Sequence, residues 1–63
     1  MLRSREVIKM LEDAGWFEVR QKGSHQQFRH AERPGTVTVP HPKNELGVGT
    51  LKSIEKQSGV KLR

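Results

Sequence analysis

Three side chains in this chain of 63 residues titrate near neutral pH: His25, His30 and His41. Acid–base chemistry at physiological pH would fall to them. His25 has the most suggestive neighbours, in the run Lys22-Gly23-Ser24-His25. Gly23 lets the backbone approach a ligand closely. Ser24 and the free amides of a turn can donate to a phosphate oxygen, and Lys22 and Arg20 bring positive charge to the same end. A general base flanked by phosphate-binding donors is what scission of an RNA strand requires. The base removes the proton of the ribose 2′-OH, and the donors stabilise the phosphorane-like transition state. The same four residues also suit a plain tight turn with an exposed histidine.

The other two histidines are more ambiguous. His30 has the strand parity of Phe28, which suits the edge of a core or a hydrogen bond at a strand end. His41 sits in Pro40-His41-Pro42-Lys43, where it is either a rigid loop residue or a second imidazole or phosphate contact. His25 and His30 are five apart on a strand and point to opposite faces. There is no cysteine, and no paired carboxylate completes a ligand set, so no metal is expected. No glycine-rich run matches a nucleotide-binding fingerprint, and no cofactor is expected. Gly47-Val48-Gly49 could offer helix amides to an anion, though the start of a helix explains it equally well.

Elements that could carry these residues are legible from periodicity. Val7, Ile8, Leu11 and Ala14 recur at helical spacing, after Ser4 as an N-cap and before Gly15 as a stop, so a helix is expected over about 4–14. Strands are expected over 16–22, 25–30 and 36–39, the last ended by Pro40 and Pro42. A final helix is expected over about 48–58, with Val48, Leu51 and Ile54 inward, Gly59 ending it, and Val60 and Leu62 packing back. The order α-β-β-β-α suggests one domain over 1–63 with both helices on one face of a three-stranded antiparallel sheet. Alternation in the first strand then turns Phe17 and Val19 toward the helices, with Phe28, Val37 and Val39. Trp16 would lie at the edge of the core or stack on a base. The other face would carry Glu18, Arg20, His25, Gln27, Arg29, Thr36 and Thr38 and stay open to solvent, as antiparallel sheets allow.

Composition narrows the partner. Twelve Lys and Arg against seven Asp and Glu leave a net charge of +5, which favours an anion, with nucleic acid first. Arg20, Lys22, Arg29 and Arg33 form one basic group, and Lys52, Lys56, Lys61 and Arg63 another. Lys52 and Lys56 share a helical face and could follow an RNA backbone or simply be solvated. No apolar run approaches the roughly 20 residues of a membrane span, and Met1 to Lys9 lacks a signal-peptide pattern, so a cytoplasmic location without membrane contact is expected. With 32% hydrophobic residues the core is small, and a partner that binds the folded state would stabilise it.

The chain resembles the HicA toxins, also called the YcfA-like family. The hairpin Gln21-Lys22-Gly23-Ser24-His25-Gln26-Gln27-Phe28 is similar to the family's Gly-Ser-His hairpin. Ser4 to Lys9 with Gly15-Trp16 resembles its first helix and exit, and Val37-Thr38-Val39-Pro40-His41-Pro42 its third strand. Gly49 to Ile54 with Lys56 to Gly59 is similar to its closing helix. Val48 departs from the proline that relatives often carry there. The resemblance implies a double-stranded-RNA-binding-domain-like α+β fold and a ribosome-independent, metal-independent endoribonuclease acting on mRNA. It also implies His25 as the catalytic residue, with Gly23 and Ser24 before it, and a HicB-type antitoxin as partner. The acid that protonates the leaving oxygen stays open among Lys22, His41 and water. Two rival readings of the same residues are a non-catalytic double-stranded-RNA-binding module and a domain whose open sheet face docks a protein.

Overall fold

A computed structural model of the chain describes residues 2–62. Arg63, expected in the second basic group, lies outside the described residues. The elements run α1 (Ser4–Asp13), β1 (Trp16–Lys22), β2 (His25–His30), β3 (Val37–Pro40) and α2 (Val48–Ser58). The strands form one antiparallel sheet in the order β1-β2-β3. Val7 and Leu11 of α1 and Leu51 and Ile54 of α2 meet Phe28, Val37 and Val39 in a single core, so both helices cover the same face of the sheet. This is the α+β arrangement expected from the element order, and the double-stranded-RNA-binding-domain-like fold that the family resemblance implies. Leu62 is buried and Val60 packs against the core, so the segment after α2 does fold back beneath it. Pro40 ends β3 rather than following it, paired with His25, while Thr36 lies outside the strand.

β1 departs from simple alternation. Its register against β2 runs Trp16↔His30, Phe17↔Arg29 and Glu18↔Phe28, then skips Val19 and resumes at Arg20↔Gln27. The skipped residue is a β-bulge, which puts two residues of one strand opposite one of the other and inverts side-chain parity beyond it. The expectation that Phe17 and Val19 face the helices is therefore wrong. Both are 48% exposed, and Trp16, at 2%, takes the core position instead. Glu18 moves to the parity of Phe28 on the helix side, yet stays exposed at the edge of the sheet. Arg20 still reaches the open face, but only because the bulge returns it there.

The buried Trp16 is held by His30. The two rings meet edge to face with centroids 5.2 Å apart. His30 Nε2 lies 3.0 Å from the Ala14 carbonyl, and its Nδ1 accepts the Glu32 amide at 3.0 Å. A carbonyl only accepts and an amide only donates, so the pair selects the neutral tautomer with its proton on Nε2. Gly15 makes this close approach possible. It has φ +98°, and a Cβ there would lie 2.7 Å from His30 Nε2.

Three smaller expectations also shift. Ser4 is the first residue of α1 rather than its N-cap, which is Arg3. The Glu6 carboxylate accepts the Arg3 amide at 2.8 Å, which leaves the Ser4 hydroxyl to bond elsewhere. Val48 is 46% exposed, and Leu46, just before α2, is fully buried in its place. Ala14 is exposed, past the last helical turn.

Candidate active site

The β1–β2 hairpin closes in two residues, Gly23 and Ser24, between the paired Lys22 and His25. Gly23 has φ +58° and Ser24 a negative φ, the pattern of a type II′ turn, whose first central position calls for glycine. Such a turn matches the twist of the strands and fixes the register of both. That register, counted from Phe28 in the core, sets His25, Gln27 and Arg29 on the face away from the helices. Arg20 pairs with Gln27 and Lys22 with His25, so both cations share that face. Thr38 joins them across from Gln27. His25 is exposed, and its imidazole makes no hydrogen bond to a described residue. It stands at the end of the open face with a small turn on one side and cations around it.

The structure exposes a group on this face that the alternation pattern hid. Phe17 pairs with Arg29 and presents an aromatic surface beside the basic residues. Aromatic rings of this kind can stack on unpaired bases. Trp16, the aromatic considered for that contact from the sequence, is buried against His30 and cannot make it. Only the bulge separates the two cases, and a single sequence carries no strong mark of a bulge at Val19.

His41 reaches the same end of the sheet by another route. Its amide donates to the Ser24 carbonyl at 2.7 Å, fastening the loop after β3 to the hairpin turn. Its ring does not join His25. Nδ1 lies 2.8 Å from the Ser4 hydroxyl oxygen, on the helix side of the sheet. Ser4, 1% exposed, also accepts the Lys43 amide at 2.9 Å and lies 3.1 Å from the Lys43 carbonyl. The two imidazoles are thus neighbours in backbone but belong to opposite sides of the sheet.

Lys52 and Lys56 are exposed on α2, in the helix layer, across the sheet from His25. The candidate phosphate contacts therefore fall into two groups, with Arg20, Lys22 and Arg29 beside His25 and the α2 lysines apart from it. Among the described residues no cluster of three or more His, Cys, Asp or Glu side chains is placed to hold a metal. None of the described helices is long and apolar enough to cross a membrane.

These features define a small basic α+β domain of the double-stranded-RNA-binding-domain-like class, with a histidine at the open end of its hairpin. The family described as "HicA toxin of bacterial toxin-antitoxin" matches residues 4–60. The chain belongs to that family and is thereby the toxin member of a toxin–antitoxin system. A solved structure titled "HicA3 and HicB3 toxin-antitoxin complex" contains a chain 33% identical to this one. The match covers 98% of this chain and 100% of that one, with a TM-score of 0.77. No curated protein matches the chain.

Proposed function

We propose that this toxin is a metal-independent endoribonuclease that cuts mRNA on the open face of its sheet, with His25 as general base. The observation that carries the reading is the position of His25: exposed, at the mouth of a two-residue turn, on the face shared by Arg20, Lys22 and Arg29. The neutral imidazole takes the proton of a ribose 2′-OH. The 2′-oxygen attacks the adjacent phosphorus, and the bond to the 5′-oxygen of the next nucleotide breaks. The products are a 2′,3′-cyclic phosphate and a 5′-hydroxyl end. Such proton transfer contributes about 10²–10⁴-fold to the rate. Gly23 and Ser24 offer backbone amides and a hydroxyl to the scissile phosphate, and the three cations hold it and its neighbours. Phe17 offers a stacking surface to a base beside the cut. Lys52 and Lys56 contact backbone phosphates further from the cut.

His41 binds phosphate rather than serving as the acid, because its ring is tied to Ser4 on the other side of the sheet. Lys22, paired directly with His25, is better placed to protonate the leaving oxygen, with water as the other donor. A HicB-type antitoxin neutralises the toxin by covering the open face. Support for this partner comes from the structural relative, whose title names a complex of HicA3 with HicB3.

The test is cleavage of a defined RNA by purified wild type and by His25→Ala, with circular dichroism to establish that the variant folds. His25→Ala should leave the RNA intact, and wild-type activity should survive a chelator. A folded His25→Ala protein that cuts at the wild-type rate would refute the assignment. A wild-type protein that binds RNA without shortening it would favour a non-catalytic RNA-binding module.

A further inference from the structure

A cavity of about 320 Å³ opens between the start of α1 and the loop after β3. Arg3, Ser4, Arg5, His41, Lys43 and Asn44 line it, together with Pro42. Three of these residues are basic, Arg3, Arg5 and Lys43, and none is acidic. The carboxylate of Glu6, in the first turn of α1, is engaged by the Arg3 amide at 2.8 Å. Like charges gathered around one hollow repel each other, so an anion in the hollow lowers the energy of all three.

The floor of the cavity is built rather than loose. Ser4 is 1% exposed, and its amide donates to the Lys43 carbonyl at 3.0 Å while its hydroxyl oxygen accepts the Lys43 amide at 2.9 Å. The same hydroxyl oxygen lies 3.1 Å from the Lys43 carbonyl and 2.8 Å from His41 Nδ1. The other ring nitrogen of His41, Nε2, makes no hydrogen bond among the described residues. The cavity is thus lined by one histidine, two arginines and a lysine. It sits one hydrogen bond from the hairpin, since the His41 amide donates to the Ser24 carbonyl.

We infer that this cavity is a second phosphate site, which holds a backbone phosphodiester of the RNA a short distance along the strand from the bond cut at His25. The inference rests on the open-face nuclease reading. It extends that reading around the hairpin end of the sheet to Arg5 and Lys43. The site would fix which way the strand runs across the toxin and how far from the cut it must extend.

The test uses the double variant Arg5→Ala/Lys43→Ala. Both side chains are exposed and make no hydrogen bond or ion pair among the described residues, so the fold should survive. Binding is measured in the His25→Ala background with a single-stranded RNA oligonucleotide and with copies in which one phosphate at a time is a neutral methylphosphonate. The double variant should bind about tenfold more weakly, with the slope of log affinity against log salt shallower by about 0.7 for each phosphate no longer neutralised. One methylphosphonate position should weaken His25→Ala alone yet have no further effect on the double variant. Free inorganic phosphate at millimolar concentration should not reproduce the oligonucleotide's affinity.

Equal affinity, salt slope and methylphosphonate profile with and without the double substitution would overturn the second site, even if wild type still cuts RNA. If RNA binding is unchanged but HicB-type antitoxin binding falls, the site is also overturned and the cations belong to an acidic protein contact. Absence of any RNA binding by wild type overturns both readings. Methylphosphonate sensitivity at one position in a protein that never cuts supports the site and removes only the nuclease.

Discussion

Replacing Ser4 by alanine would remove one oxygen and break the fastening between α1 and the loop after β3. The hydroxyl oxygen takes part in three short contacts, with the Lys43 amide at 2.9 Å, the Lys43 carbonyl at 3.1 Å and His41 Nδ1 at 2.8 Å. The carbonyl keeps a partner, because the Ser4 amide donates to it as well. The Lys43 amide does not, and a buried donor left unsatisfied costs about 1–3 kcal/mol. The site is only partly buried, so the lower half of that range applies, with about another 0.5–1 kcal/mol for the imidazole bond. A loss of about 2 kcal/mol follows, large against the roughly 3–9 kcal/mol that a domain of this length holds in total. With a urea slope of about 1 kcal/mol/M for so small a protein, the midpoint should fall by about 2 M. Melting should drop by about 8–16 °C. Ser53→Ala, at an exposed position on α2, is the matched control and should change stability by less than about 0.5 kcal/mol. Hydrogen exchange locates the effect, with protection disappearing first at the Lys43 amide. A midpoint within about 0.5 M of wild type, with the Lys43 amide still protected, would show that Ser4 does not fasten the loop.

Four other outcomes follow from the geometry. Gly15→Ala forces an unfavourable positive φ and drives a methyl group into His30 Nε2, so it should cost about 2–3 kcal/mol by denaturant titration and expose Trp16 to solvent, read as a red shift of its fluorescence. Phe17→Ala should leave stability within about 0.5 kcal/mol while weakening single-stranded RNA binding by about 1–3 kcal/mol; unchanged RNA affinity would remove its stacking role. Trp16→Ala should behave oppositely, with a drop of about 3–5 kcal/mol in stability through the core, read by the same denaturant titration. Lys52→Gln/Lys56→Gln should raise the RNA concentration needed for half-maximal cleavage and flatten its salt dependence, and an unmoved salt slope would assign these lysines to solvent.

Element order and boundaries are legible in the sequence because their signals are local. Helical spacing in Val7 and Leu11, alternation in Val37 and Val39, and glycine at turn and helix ends each act within a few residues of the chain. The open-face parity of His25 is legible for the same reason, since β2 alternates without interruption from Phe28. Phe17 and Val19 go astray because simple alternation runs on through Val19, where pairing with β2 breaks step. Apolar side chains on both parities of β1 leave two ways to turn the strand, and the contact between Trp16 and His30, fourteen residues apart, selects one. Ser4 suits an N-cap by type, but its bonds to His41 and Lys43 span most of the chain and leave no local trace. Arg5 and Lys43 carry no mark of a shared site in the sequence, because only the folded chain brings them together.

The bulge at Val19 also divides β1 into two stretches of opposite side-chain phase. Before it, position 16 answers to the helices behind the sheet and position 17 to the front; after it, positions 20 and 22 answer to the front. A saturation library across the strand should therefore show a tolerance pattern that changes phase midway, with position 16 closed to polar side chains, position 17 open to them in folding but not in RNA affinity, and positions 20 and 22 indifferent to folding. The two rungs that flank the bulge, Glu18↔Phe28 and Arg20↔Gln27, already follow one another along β2. A chain without Val19 would keep both rungs, and with them Arg20 and Lys22 beside the histidine, while its hairpin loses the extra twist that a bulge adds. Drift in the core and drift in substrate preference can thus proceed along one strand without obstructing each other.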